Sequence, residues 1–331
     1  MKKEFVKYLI AWLIPFISAS AYAQDAQFTQ FYATPLNSNP ALAGTTPHYR
    51  FSTIYRNQWS AIPQNYETAA ATFDYSFGKY GSGIGVQLLN DRVHSLGLQS
   101  NALTASYAYA VPIDNKWILR PAVQAGYVIK NFDFGKLLFG DQIDNLGATA
   151  ERFNNVNTNY PTFGGGVLIY NSSFWFGLAG YHLNSPKQII PNKNTRISPR
   201  YTAQMSYKVK LNKGKMETKS VSYMLLYQYQ KPFQQLDFGL NYFTSPLVIG
   251  LWYRGLPLNS PVQNYINQDM IAVLIGIKHN SFRFCYSYDV TISRLSGSGG
   301  SHEIAIVYEP FADFRINKGS GSHKYIQCPA F

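Results

Sequence analysis

Six histidines, at positions 48, 94, 182, 279, 302 and 323, stand far apart, with no H-E-x-x-H motif and no close pair. A zinc site needs several ligands at short, regular spacing, so this pattern gives a metal no support. No G-x-S-x-G elbow is present, and the expectation is a non-enzymatic chain with no catalytic residue, metal or cofactor. The side chains whose chemistry needs an explanation are charges on aromatic-rich segments. Arg56, Arg254 and Arg283 have Asp289 and Glu303 as candidate partners, with His302 beside them. Two readings are open: a charged lumen filter, or a salt-bridged interior that fixes shape, the second being favoured. A charge facing lipid costs about 2–4 kcal/mol at the membrane midplane, so a lumen or rim is where these groups belong.

The elements that must carry them alternate. From Ser281 to Val290, the residues Phe282, Phe284, Tyr286, Tyr288 and Val290 fall on one face, and Arg283, Cys285, Ser287 and Asp289 on the other. A strand presents successive side chains to opposite faces, so one face is aromatic and the other polar. After a Ser/Gly loop, Ile304, Ile306 and Tyr308 alternate with Glu303, Ala305 and Val307. About fourteen such candidates run from Tyr49 to Tyr308, near the 9–11 residues a tilted membrane strand needs. Connections on one side are short. On the other side they are longer, chiefly Phe132–Asn159 and Asn184–Ser198. Short inner turns and long outer loops characterise bacterial barrels. The expected fold is therefore all-β: a transmembrane outer-membrane barrel of about 14 antiparallel strands with an N-terminal periplasmic arm or plug. Only 14% of the 331 residues are charged and 16% are aromatic, against about a quarter charged in soluble proteins.

The expected domain order is a signal peptide at 1–23, an arm or plug at 24–48, the barrel at 49–310 and a basic periplasmic tail at 311–331. Lys2, Lys3 and Lys7 precede an apolar run, and Ala21-Tyr22-Ala23 offers a small-x-small cleavage site. No later run is long enough for a membrane helix. The arm carries Pro35, Pro40 and unphased aromatics, which argues against a central strand. It is read as starting in the periplasm and packing into or under the barrel, both termini being periplasmic. The net charge of +12 suits an acidic partner or the cell wall, and export excludes nucleic acid. Two cysteines, Cys285 and Cys328, allow one disulfide or two free thiols.

Three features are candidate interaction sites. Leu137, Leu138 and Phe139 form an apolar patch in the longest loop, a lid or a docking site. Lys213 and Lys215 lie in a basic turn, Lys208–Lys219. Lys324 and Phe331 lie in the tail, which ends Gln327-Cys328-Pro329-Ala330-Phe331.

A family resemblance adds to this. The arm QDAQFTQFYATPLNSNPALAG, the element TIYRNQWSAI at Thr53–Ile62 with Arg56, Asn57, Gln58 and Trp59, and the closing Tyr286-Ser287-Tyr288-Asp289 and Gly299-Gly300-Ser301-His302-Glu303-Ile304 resemble the PorP/SprF family. GYHLNSP at Gly180–Pro186 and LWYRG at Leu251–Gly255 also fit. The resemblance implies a type IX secretion component of the outer membrane. Its implied partners are secretion subunits in the periplasm and outer membrane, a secreted surface protein or adhesin as cargo, and a peptidoglycan-binding partner. In gliding bacteria the resemblance further implies a part in motility. A small-molecule channel is the alternative.

Overall fold

The computed structural model describes residues 25–63, 65–78, 81–137, 142, 155–190, 193–212, 218–256 and 267–310. The expected signal peptide and tail lie outside the described residues, as do Leu138, Phe139, Lys213, Lys215, Lys324 and Phe331.

Among the described residues, fourteen antiparallel strands form one closed wall. They are β1 (Tyr49–Gln58), β2 (Tyr66–Ser76), β3 (Ser82–Val93), β4 (Leu98–Tyr109), β5 (Ile118–Phe132), β6 (Val156–Tyr170) and β7 (Phe174–Tyr181). The second half is β8 (Arg200–Lys210), β9 (Lys219–Gln230), β10 (Phe233–Thr244), β11 (Leu247–Leu256), β12 (Asn267–His279), β13 (Phe282–Thr291) and β14 (Ser301–Tyr308). Each strand pairs with its chain neighbour, and β1 pairs with β14 from Phe51↔Tyr308 to Gln58↔Ser301, which closes the barrel. Closure leaves no unpaired edge for so apolar a set of strands. Three short additions lie outside the wall: a bridge at Val111–Pro112, and a hairpin of Lys187–Ile190 with Lys193–Arg196 inside the expected loop Asn184–Ser198.

The alternation read along the chain becomes inside and outside. Phe51, Val123, Leu251, Val273 and Ile275 point outward, forming the apolar band a bilayer requires. Their inward neighbours include Ser52, Gln124, Trp252, Ala272 and Leu274, all buried. We call the end where β1 begins and β14 ends proximal, and the other end distal. No helix among the described residues is long and apolar enough to cross a membrane.

The lumen is filled from within by residues 25–48. This segment contains two 3-10 turns, Phe31–Ala33 and Pro40–Leu42, and a four-residue helix, Pro35–Ser38. Prolines at 35 and 40 remove donors and break any ladder. The Asn39 side chain accepts from the Ala41 N–H at 2.9 Å, capping the second turn. Phe28, Phe31, Tyr32, Ala41 and Leu42 are all buried against inward residues such as Ile54, Leu168, Met224, Trp252 and Leu274. The barrel thus has a packed core, and the arm is its central element.

Its direction differs from expectation. Asp25 lies beside His182, Arg200 and Gln230, all at the distal end. Gly44 lies beside Asp74 and Gly83 at the proximal end. The arm therefore enters distally and descends the whole lumen before turning into β1, so Asp25 and the end of β14 lie at opposite ends. The reason is chemical: acidic and basic groups that match the arm's first residues exist only on the distal halves of β7, β8, β11, β13 and β14.

Candidate functional site

An irregular segment in a lumen has backbone donors and acceptors that no ladder satisfies, and each one left bare costs about 1–3 kcal/mol. Wall side chains meet them. Glu303 on β14, fully buried, accepts from the N–H of Thr29 at 3.0 Å and of Gln30 at 2.6 Å. Asp289 on β13 accepts from the Thr29 hydroxyl at 2.8 Å. Arg56 on β1 lies between the two carboxylates, 2.7 Å from Asp289 Oδ2 and 2.9 Å from Glu303 Oε2. The same Nη1 donates to Thr29 Oγ1 at 3.0 Å. Three of the residues singled out from sequence thus meet in one buried cluster across the β1–β14 seam, and the arm is bonded into it.

Arg254 pairs with Asp237 at 2.8 Å and donates to the Phe28 carbonyl at 3.4 Å. Asp237 was not foreseen, although its register partner on β11 is Arg254 itself. Arg283 does not join Asp289 or Glu303. It sits at the proximal end, 3.7 Å from Glu309, because four to six residues of strand separate it from the distal cluster. His302 is not luminal. It shares its face with outward Ile304, and its Nδ1 lies 2.8 Å from the Tyr286 hydroxyl, with its ring 4.9 Å from that of Tyr288. The polarity of the imidazole is met by these tyrosines on the outer face, so strand parity decides its side.

The other interaction candidates separate. Asn57 faces outward and accepts from Asn65 at 3.2 Å. Gln58 and Trp59 border a cavity, and the Trp59 ring packs edge-on against Tyr66 at 5.2 Å. Leu137 is half-buried at the end of the turn Phe134–Lys136.

Further arm contacts were not read from sequence. At the proximal end Arg50 pairs with Asp74 at 2.8 Å, and Asp74 also accepts from Gly44 N–H at 2.8 Å. Arg120 donates to the carbonyls of Ala41 and Ala43. Ser52 and Thr202 donate to those of Ala33 and Ser38 at 2.6 and 2.9 Å. Distally, Arg200 stacks on Tyr181 at 4.3 Å, donates to the Asn37 carbonyl at 3.0 Å and lies 3.3 Å from Asp25. Burial pushes the Asp25 carboxyl up, but His182 and Arg200 beside it outweigh that and hold it well below the usual carboxylate range.

Above the arm, the distal half of the lumen holds a cavity of about 1330 Å³. Strand register arranges the β2–β6 wall in rows. Thr68, Asp91, Ser100, Lys130 and Thr158 form the upper row. Ala70, Leu89, Ala102, Val128 and Tyr160 form the next, and Thr72, Gln87, Thr104, Gly126 and Thr162 the third. Leu36 and Asn37 of the arm make the floor. Among the described residues no cluster of three or more His, Cys, Asp or Glu could hold a metal ion.

A family model described as type IX secretion system membrane protein PorP/SprF matches residues 20–308. No curated protein sequence matches the chain at a significant level. Among solved structures, a TodX monoaromatic hydrocarbon channel mutant is 11% identical, with 82% of this chain and 93% of that one covered and a TM-score of 0.46. A FadL homologue from Pseudomonas aeruginosa is 9% identical, with 79% and 90% covered and a TM-score of 0.42. The NanC porin is 11% identical, with 78% and 98% covered and a TM-score of 0.39.

Proposed function

The chain belongs to the PorP/SprF family of type IX secretion system membrane proteins, and on that premise we propose that it is a closed outer-membrane adaptor rather than a conduit. In this reading the distal end faces outward and binds a secreted surface protein. The proximal end faces the periplasm and meets secretion or gliding machinery, directly or through a peptidoglycan-binding partner. The basic turn with Lys213 and Lys215 and the tail with Lys324 and Phe331 serve the periplasmic side. The loop with Leu137, Leu138 and Phe139 serves the outer side.

The observation that carries this reading is the arm. It is locked to the wall by buried ion pairs at both ends, with a hydrophobic core between them. A passive channel requires that segment to leave, breaking bonds that each cost on the order of 1–3 kcal/mol when a buried partner is stranded. Tagged protein purified from native membranes in mild detergent should carry a large secreted surface protein together with periplasmic secretion subunits, as identified by mass spectrometry. Recovery of the barrel alone, with steady conductance in planar bilayers, would instead establish a channel.

A further inference from the structure

The lumen wall already recognises a polypeptide main chain. It does so with side chains: Ser52, Arg120, Thr202 and Arg254 donate to arm carbonyls, and Glu303 accepts from arm amides. The distal cavity is the part of this same lumen that the arm leaves unfilled. Its wall carries the same kinds of group, including Gln87 and Thr104, which face each other across the β3–β4 register.

The shape of the cavity narrows the choice of occupant. From Lys130 down β5 to Gln124 the wall runs about 20 Å, at about 3.3 Å per residue. A volume of about 1330 Å³ over that depth leaves a cross-section of about 65 Å². One extended chain needs about 50 Å², from its 4.8 Å and 10 Å spacings. The cup therefore admits a single strand end-on, and the arm closes its floor, so an occupant is held rather than passed.

Charge narrows it further. Lys130 projects into the cavity with its ammonium 6.0 Å from the Tyr160 ring. Asp25 is taken by Arg200 and His182, and Asp91 by the Thr68 hydroxyl at 2.6 Å. Among the described residues no ion pair joins Lys130 to a carboxylate. A cation left so in a partly desolvated cup favours an anionic group on whatever enters.

We infer that the distal cavity is a binding site for an extended acidic peptide segment of the secreted partner, with a carboxylate of that segment on Lys130. This rests on the adaptor reading, and it moves the recognition from the loops into the lumen.

The test uses the full-length protein in its native membrane. A benzophenone amino acid is placed at Ala102, which lines the cavity, and separately at Leu103, which points outward. After irradiation, linked peptides are identified by mass spectrometry. Expected is one Asp- or Glu-containing segment of the co-purifying secreted protein linked at position 102 and not at 103. Lys130→Gln should reduce that product at least tenfold, while Lys130→Arg retains it. Heat-modifiable migration on gels confirms that each variant is folded. If the secreted protein co-purifies but no peptide links at 102, or only lipid or glycan adducts form there, this inference fails and the adaptor reading survives. If no secreted protein co-purifies, the adaptor reading fails and this inference with it.

Discussion

Arg56→Ala should be among the most damaging single changes in the barrel. The guanidinium is buried and lies 2.7 Å from Asp289 and 2.9 Å from Glu303. Its loss leaves two carboxylates in one buried cluster with no cation. Breaking a buried ion pair by removing one partner costs about 3–5 kcal/mol, or a factor of roughly 10² to 10³ or more in the folded-to-unfolded ratio. With a urea slope of about 2 kcal/mol per molar, typical of small proteins, the unfolding midpoint should fall by about 2 M. The assay is urea titration of the detergent-solubilised barrel, followed by tryptophan fluorescence. Trp252 is a suitable reporter because Phe31 of the arm packs edge-on against it at 5.4 Å. Glu303→Gln is the control. The amide still accepts from the Thr29 and Gln30 amides, and Arg56 keeps Asp289, so the loss should be smaller, about 1–3 kcal/mol. If Arg56→Ala costs less than about 1 kcal/mol, or no more than Glu303→Gln, the cluster does not hold the arm as described here.

Phe31→Ala empties a buried site against Trp252 and should cost about 3–5 kcal/mol in the same titration. At Gly83, a Cβ would lie 2.5 Å from the Ala43 carbonyl oxygen and 2.8 Å from Gly44 Cα. Gly83→Val should therefore expel the arm's exit from the lumen, read as rapid protease cleavage near residue 44 in an otherwise heat-stable barrel. Because Asp25 titrates below its unfolded value when folded, its contribution is full above pH 4 or so and is lost only as pH falls through the depressed value. Asp25→Asn should accordingly expose a cysteine placed at Ala26 to maleimide at neutral pH, in a cysteine-free background, and the difference from the parent should vanish in strong acid. Deleting residues 25–44 should convert a barrel silent in planar bilayers into a conducting one, and continued silence would locate the block elsewhere.

The wall was legible because lipid on one side and a packed lumen on the other enforce a period of two, and a polar residue on the wrong side is costly. Segments such as Lys219–Gln230, Leu247–Leu256 and Phe282–Thr291 announce their two faces residue by residue. Arg56, Arg254, Asp289 and Glu303 were recognisable as interior charges by the same rule. Which of them touch was not, because contact depends on register between strands, and no local pattern records it. Asp237 is directly opposite Arg254, yet the two are 17 residues apart in the chain. His302 shows the rule applied by polarity where parity should have decided: it shares its face with Ile304 and Ile306. The arm has no period at all, so its sequence disclosed irregularity but not direction. The hairpin at Lys187–Arg196 lay hidden because four-residue strands are too short to display alternation.

The bond from Thr29 to Glu303 joins residues 274 positions apart, and its geometry orders events during biogenesis. Glu303 belongs to the last strand, which completes the wall by pairing with the first. The arm already lies inside that wall, running from one mouth to the other. A barrel that closed early would have to admit more than twenty residues lengthwise through a lumen whose proximal half is packed solid. Sealing and filling are therefore one step: the sheet wraps around its own leader strand-by-strand, and the final pairing traps it. A chain shortened at its beginning would still find its β1–β14 partners, but it would close around nothing.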